Sequence, residues 1–280
     1  DEAQIAADYD LGARAGQIRD DLQTIAAATP ADMLRVQLDS RGPFLARWQK
    51  LALDTLDEPA LQEAPRRAAF RKQIAATIVN ASPDAVNYRL VRAFRNAVER
   101  AAWREIVASL GLDPAETRIP AQFEGPLWEM VTQQPRHLLG QQYPDWRTFL
   151  LMQVDTVLDD LAEACPDLAK CTWGARNPVA VRHPLSAALP FGPRLLDMPT
   201  VELPGDHDMP RVQDGAFGAS NRFGVSPGHE AEGYLMIAGG QSGHFLSPFY
   251  RAGFREWAEG RPLPFLPGAA AHHLRLLPGR

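Results

Sequence analysis

Lysine is nearly missing from this chain. Lys50, Lys72 and Lys170 stand alone among 29 basic residues, and the formal net charge is −5. Nucleic acid and anionic membrane surfaces call for a concentrated basic patch, so composition gives no support to either as a partner. The arginine excess, with abundant alanine, fits a GC-rich genome and carries little functional weight. Long apolar runs are missing too. None approaches the ~20 residues that cross a bilayer, so no membrane insertion is expected. The start, "DEAQIAADYD", is acidic and has no apolar h-region, which makes the chain either cytosolic or already processed.

Cysteine is scarce as well. Cys165 and Cys171 sit in "ACPDLAKCTWG" with five residues between them. Pro166 and Asp167 favour a turn there. A short-loop disulfide is expected, contributing roughly 2–3 kcal/mol, with two free thiols as the alternative. A zinc pair lacks a second Cys/His pair at ligand spacing. A disulfide would put the chain in an oxidising compartment.

What is present is ordinary globular material: 280 residues, 45% hydrophobic and 22% charged, enough to bury a core as one large domain or two smaller ones. The character changes near residue 172. Residues 1–171 read as helical, whereas 172–280 are loop-rich with a few strands. "TPADMLRVQLD" begins a helix with Thr29 as N-cap, Pro30 at the first position and Asp32 completing a capping box. Ser82, Pro83 and Asp84 repeat the device ahead of a stripe of Val86, Leu90, Val91, Phe94, Val98, Ile106 and Leu110, with Gly111 as the stop. Asp145 starts another helix with Trp146, Phe149, Leu150, Val154, Val157, Leu158 and Leu161 on one side. Segments around 11–25 and 44–56 are also helical. "GASNRFGVSP", bounded by Gly218 and Pro227, and "GYLMIAGG" read as buried strands joined by a turn at "PGHEAEG". These strands are too few for a layer of their own and look built to complete a sheet supplied by another chain or another part of the protein.

A self-contained active site does not emerge from the motifs. In "GGQSGHFLSPFY" the esterase elbow needs Gly-x-Ser-x-Gly followed by a helix, yet His244 replaces the second glycine after Ser242, and Pro248 follows soon after. "GASNR" around Ser220 fails at the same position. "GDHDMP" offers Asp206, His207 and Asp208 to a metal, but residues adjacent on a loop rarely face one ion, and an Asp-capped turn is the better expectation. His272 and His273 are expected to face solvent, and His183, before a proline, to be structural. No phosphate loop is present.

Several phrases, read in order, resemble the penicillin acylase family of N-terminal-nucleophile hydrolases: "ADMLRVQLDSRGPFLARW" (31–48), "NYRLVRAFR" (87–95), "PLWEMVTQQPRHLL" (126–139), "TWGARNPVAVRHPL" (172–185), "PGDHDMPRVQDGAFGASNRFGVSPG" (204–228) and "GGQSGHFLSPFYRAGFREWAEGRPLPF" (239–265). The resemblance is to the C-terminal part of the family's β subunit. It implies an α+β fold, part of a four-layer αββα sandwich to which this chain gives outer helices and strands. It implies a precursor that cleaves itself and exposes a serine whose own amino group is the base, with an oxyanion hole of backbone NH groups and an asparagine. Residue 1 is Asp1, so that serine is expected outside this chain. By the same resemblance Arg14, with Ile18 one turn on in "ARAGQIRDDL", borders the active site and orients the amino terminus or its partner; the alternative is a surface helix arginine, and Arg19 is a weaker candidate. No cofactor is expected in this chain, the family's calcium ligands lying elsewhere in the precursor.

The expected partners are the α subunit, the N-terminal part of the β subunit and a small-molecule amide substrate, either an N-acyl-homoserine lactone or a β-lactam side chain. A periplasmic or secreted location agrees with the Cys165–Cys171 disulfide. Two further readings stand beside this one: a non-catalytic scaffold or binding member of the same family, and an unrelated hydrolase using Ser242. Under the first reading, Phe245, Phe249 and Tyr250 are expected to pack the last turn of the chain onto the sandwich.

Overall fold

Helix-favouring periodicity runs through the first two thirds of the chain, and the structure follows it. The computed structural model describes residues 9–78 and 80–279; Asp1 and the rest of the acidic start lie outside the described residues. In chain order the helices are α1 (Ala13–Gln23), α2 (Pro30–Gln37), α3 (Pro43–Thr55), α4 (Glu58–Glu63), α5 (Arg66–Ile74), α6 (Val86–Ser109), α7 (Glu124–Gln133), α8 (Trp146–Leu161), α9 (Trp173–Arg176), α10 (Gly192–Leu196) and α11 (Phe254–Glu259). The strands are β1 (Pro178–Val179), β2 (Val201–Glu202), β3 (Asn221–Gly224) and β4 (Tyr234–Ile237), paired antiparallel as β1–β2 and β3–β4. Mixed helix and small antiparallel sheets make this an α+β chain. It divides into two compact units, one of residues 9–24, 39–180 and 200–218, the other of 25–38, 181–199 and 219–279.

The first unit is a helical bundle around α6, with α3, α5 and α8 packed on it. Leu90, Val91, Phe94 and Val98 recur at three- and four-residue steps and are fully buried, against Trp48, Phe70, Ile74, Leu127 and Val154. Leu110 departs from its expected place. It is 68% exposed, and Val107 takes the buried position instead, because the stripe drifts around a helix of six to seven turns. On α8 the expected face is buried from Trp146 to Leu158. Asp145 caps that helix by accepting from the Thr148 amide at 2.6 Å.

The start of α6 corrects the sequence expectation. Ser82 donates its hydroxyl to the Asp84 carboxylate instead of capping a helix, the chain turns through 82–85, and α6 begins at Val86 with Ala85 as its N-cap. The last turn before the helix is held by α9, where the amides of Trp173 and Gly174 donate to the Ala85 and Pro83 carbonyls.

A charged hub sits inside this bundle. Glu124 is 1% exposed and accepts from Arg47 at 2.5 Å, from the Trp48 indole at 2.8 Å and from Arg95 at 2.6 and 3.0 Å. Arg47 also lies 4.4 Å above the Trp128 ring. A buried carboxylate is tolerable only when it is this fully paired. Cys165 and Cys171 close their short loop as a disulfide, with Cα atoms 5.4 Å apart.

In the second unit the β3–β4 ladder pairs Arg222 with Met236 and Gly224 with Tyr234, α2 packs against β3, and α11 packs against β4. Thr29 caps α2 in a full capping box with Asp32. Pro264 extends the sheet, with Leu235 donating to the Leu263 carbonyl and Phe265 to that of Gly233. The strands are not buried on both sides as expected. Arg222, Tyr234 and Met236 face inward, whereas Phe223 and Leu235 are cross-strand partners, 55% and 42% exposed. Alternation along a strand sends successive side chains to opposite faces, and within this chain only one face is covered.

Candidate functional site

The first unit places Arg14 on the first turn of α1, which follows Gly12 in a left-handed conformation (φ 82°). Arg14 is half-buried. Its guanidinium donates through Nε at 3.2 Å and Nη2 at 2.6 Å to the main-chain carbonyl of His207. One turn along, Gln17 is buried and donates to the Asp39 carboxylate at 2.5 Å and to the Arg41 carbonyl at 3.3 Å. Asp39 also receives Arg41 through its amide and guanidinium, and Arg41 reaches on to Asp21. Burial works against the Asp39 charge, but the hydrogen bonds from Arg41 and Gln17 outweigh it and hold this carboxyl down at about 2. Asp21 moves the other way, raised by burial and then by its proximity to Asp39.

The loop that carries His207 is turned inward by its own chemistry. Gly205 has φ +119°, and a Cβ there would overlap the Arg211 carbonyl, so only glycine fits. The Gly205 carbonyl accepts from the Trp173 indole at 2.8 Å, and its amide donates to Ala81. This folds Asp206 into the bundle, where it is 4% exposed. Its carboxylate accepts from the Tyr88 hydroxyl at 2.7 Å, from Arg92 through Nη2 at 2.9 Å and through Nε, and from the His207 amide at 2.6 Å. Burial would lower the Arg92 guanidinium, but Asp206 wins and raises it; burial, then Asp206, pushes the Tyr88 hydroxyl well above its ordinary value. Arg92 lies 5.3 Å over the Trp173 ring. Asp206 is therefore a structural ion-pair acceptor, deeper and better paired than the capped turn expected at "GDHDMP". His207 and Asp208 pair with each other at 3.0 Å at the surface. Among the described residues no group of three or more His, Cys, Asp or Glu is placed to hold a metal ion.

Beside α1 runs an open groove of about 670 Å³, lined by Leu11, Gln17, Asp20, Asp21, Arg41 and Phe44 among others. Among the described residues no serine, cysteine or histidine lines it, and Arg14 is turned away to the 207 carbonyl. Below it a void of about 10 Å³, bounded by Gln17, Tyr88, Arg92 and Asp206, has room for about one water. The arrangement can fix the position of α1 and of the 204–213 loop; among the described residues it holds no nucleophile with a base.

Ser242 and His244, in the second unit, do not form such a pair either. The Ser242 Oγ accepts from the His244 amide at 3.2 Å, and the His244 Nδ1 accepts from the Leu246 amide at 3.2 Å. Both serve their own turns. Gly240 donates to the Tyr250 carbonyl, and a Cβ on it would overlap the Phe249 carbonyl, so the corner requires glycine. Tyr250 is anchored through its hydroxyl to the Leu196 carbonyl at 2.6 Å. Within this chain Phe245 and Phe249 do not pack as expected; they stand 39% and 68% exposed, along with their neighbour Leu246. Ser220, His272 and His273 are exposed, and the His183 Nδ1 accepts from the Leu185 amide at 3.1 Å.

Sequence reasoning missed Asp39, Arg41, Tyr88, Arg92 and the pairing of Asp206. The signal was present: Tyr88 and Arg92 stand one turn apart as polar residues beside an apolar face, and all five lie in three of the phrases that carry the family resemblance.

The model of the penicillin amidase family matches residues 1–272 of the chain. A comparison with curated proteins returned no match.

Proposed function

The chain belongs to the penicillin amidase family, a family of amide-hydrolysing acylases, and from that membership we propose that it forms the C-terminal part of the β subunit of a self-processed acylase. The match over residues 1–272 carries this reading. The enzyme hydrolyses the amide of an N-acyl substrate, an N-acyl-homoserine lactone or a β-lactam side chain, through an acyl-enzyme on a serine outside this chain. Two features support a nucleophile elsewhere: Ser242 and His244 are spent on turns, and no serine, cysteine or histidine among the described residues lines the groove beside α1.

In this reading the helical part through residue 171 gives outer helices to a four-layer sandwich, and the loop-rich part from 172 gives strands. The exposed Phe223–Leu235 pair on β3 and β4 supports it, being an apolar sheet face that a further layer would cover. The covering chains are the α subunit and the N-terminal part of the β subunit. Arg14 acts as a positioning residue at the edge of the active site. The Cys165–Cys171 disulfide supports a periplasmic or secreted location.

Mass spectrometry of the protein as purified from its natural source tests the proposal. The expected result is a companion polypeptide that begins with serine, and whose labelling by phenylmethylsulfonyl fluoride abolishes amide hydrolysis. This chain found alone, folded and hydrolysing the amide, would overturn it.

A further inference from the structure

A second groove of the first unit, about 380 Å³, opens between α6 and α8 with α9 at one end. Arg89, Asn96 and Arg100 line it from α6. Their spacing of seven and four residues puts all three on one stripe of that helix. Arg176 of α9 joins them, and among the described residues Asp160 is the sole acid on the lining. In a chain of net charge −5, this is a local reversal of sign.

The arginines differ in how they are satisfied. Arg92, at the inner wall, is committed to Asp206. Arg89 is 8% exposed, and among the described residues its one hydrogen bond goes from Nη1 to the Thr172 carbonyl at 3.1 Å. No carboxylate among the described residues lies within ion-pair distance of Arg89, Arg100 or Arg176. Burial, reinforced by the nearby Arg176, pushes the Arg89 guanidinium below its ordinary value. A buried cation with no carboxylate within ion-pair distance among the described residues, and with the Arg176 guanidinium nearby, is costly unless an anion completes it. The guanidinium fork is shaped to take two oxygens of one oxyanion at once.

We propose that this groove is an oxyanion-binding site for a small phosphate- or carboxylate-bearing molecule, the anion seated between Arg89 at its base and Arg176 at its rim, with Arg100, about three turns further along α6, drawing it in at long range. The apolar wall of Leu161 and Trp173 flanks the anion and excludes water from one side, which strengthens the pairing.

Calorimetric titration of the protein as purified, with sodium phosphate in one arm and sodium succinate in the other, tests this. Ionic strength is held constant with sodium chloride. Saturable one-site binding in either arm is expected, and the arm that binds identifies the group. Arg89→Gln should weaken it at least tenfold, as should Arg100→Gln combined with Arg176→Gln, while Arg255→Gln, an exposed arginine that does not line the groove, should leave it unchanged. If Arg89→Gln does not fold, because Arg89 also holds Thr172, the double variant alone decides. Absence of saturable binding in both arms, or equal affinity in wild type and the double variant, would overturn the proposal.

Discussion

The guanidinium of Arg14 closes on the carbonyl of His207 with Nη2 at 2.6 Å, tying the first turn of α1 to a loop 193 residues further along the chain. A charged donor on a main-chain carbonyl contributes about 1.5–3 kcal/mol. Arg14→Ala should therefore release the 206–208 loop and lower kcat for amide hydrolysis by roughly tenfold or more, with expression and processing intact. Steady-state kinetics check this. Unchanged kcat and KM would reduce Arg14 to a surface helix residue.

Asp206 is the shared acceptor of Tyr88 and Arg92. Asp206→Ala leaves the half-buried Arg92 guanidinium and the buried Tyr88 hydroxyl without their acceptor, a loss of about 2–3 kcal/mol. Urea unfolding should show the midpoint fall accordingly. Adding Arg92→Met to the same chain should recover part of the loss; no recovery would mean that the damage lies in the loop and not in the orphaned charge.

The pair of Asp39 with Arg41 gives an acid-side signature. Its carboxyl is lowered from 3.8 to about 2, so the stabilisation is complete above pH 4 and disappears as the pH falls through 2. After solvent screening it is worth on the order of 1 kcal/mol. Wild type should lose this much more stability than Asp39→Asn between pH 4 and pH 2, measured by urea midpoints. Asp21 lies against Arg41 as well, and its raised pKa opposes the trend, so the test rests on the difference between the two proteins.

The disulfide closes a seven-residue loop from Cys165 to Cys171, for which chain entropy predicts about 2 kcal/mol. Replacing both cysteines by alanine should lower the unfolding free energy by that amount. Cys171 is fully buried and Cys165 is 9% exposed, so dithiothreitol should reduce the bond slowly unless denaturant is present. Thiol titration with and without urea measures it.

Ser242→Ala should retain full amide hydrolysis, since its hydroxyl serves only the turn at His244. Gly240→Ala should destabilise by roughly 1–3 kcal/mol, because a Cβ cannot share the space of the Phe249 carbonyl. Loss of activity in a folded Ser242→Ala protein would revive the reading of that serine as a nucleophile.

Local features were legible from the chain alone. The Thr29–Asp32 capping box, the Asp145 cap, the stripes of α6 and α8 and the close cysteine pair all depend on residues within a few positions of one another, where periodicity and turn chemistry are sufficient. The family phrases were legible for the same reason, as short runs in a fixed order. Tertiary structure decided the rest. Asp206 could have capped its own turn, and Ser82 could have capped α6; burial against Tyr88 and Arg92 took the first, and a hydroxyl bond to Asp84 took the second. Leu110, Phe223 and Phe249 are apolar yet exposed. The partners of Asp206 lie 114 and 118 residues away, a distance that no spacing within a motif records, whereas the Ser82–Asp84 bond is local and shows two neighbouring turn options competing for one hydroxyl.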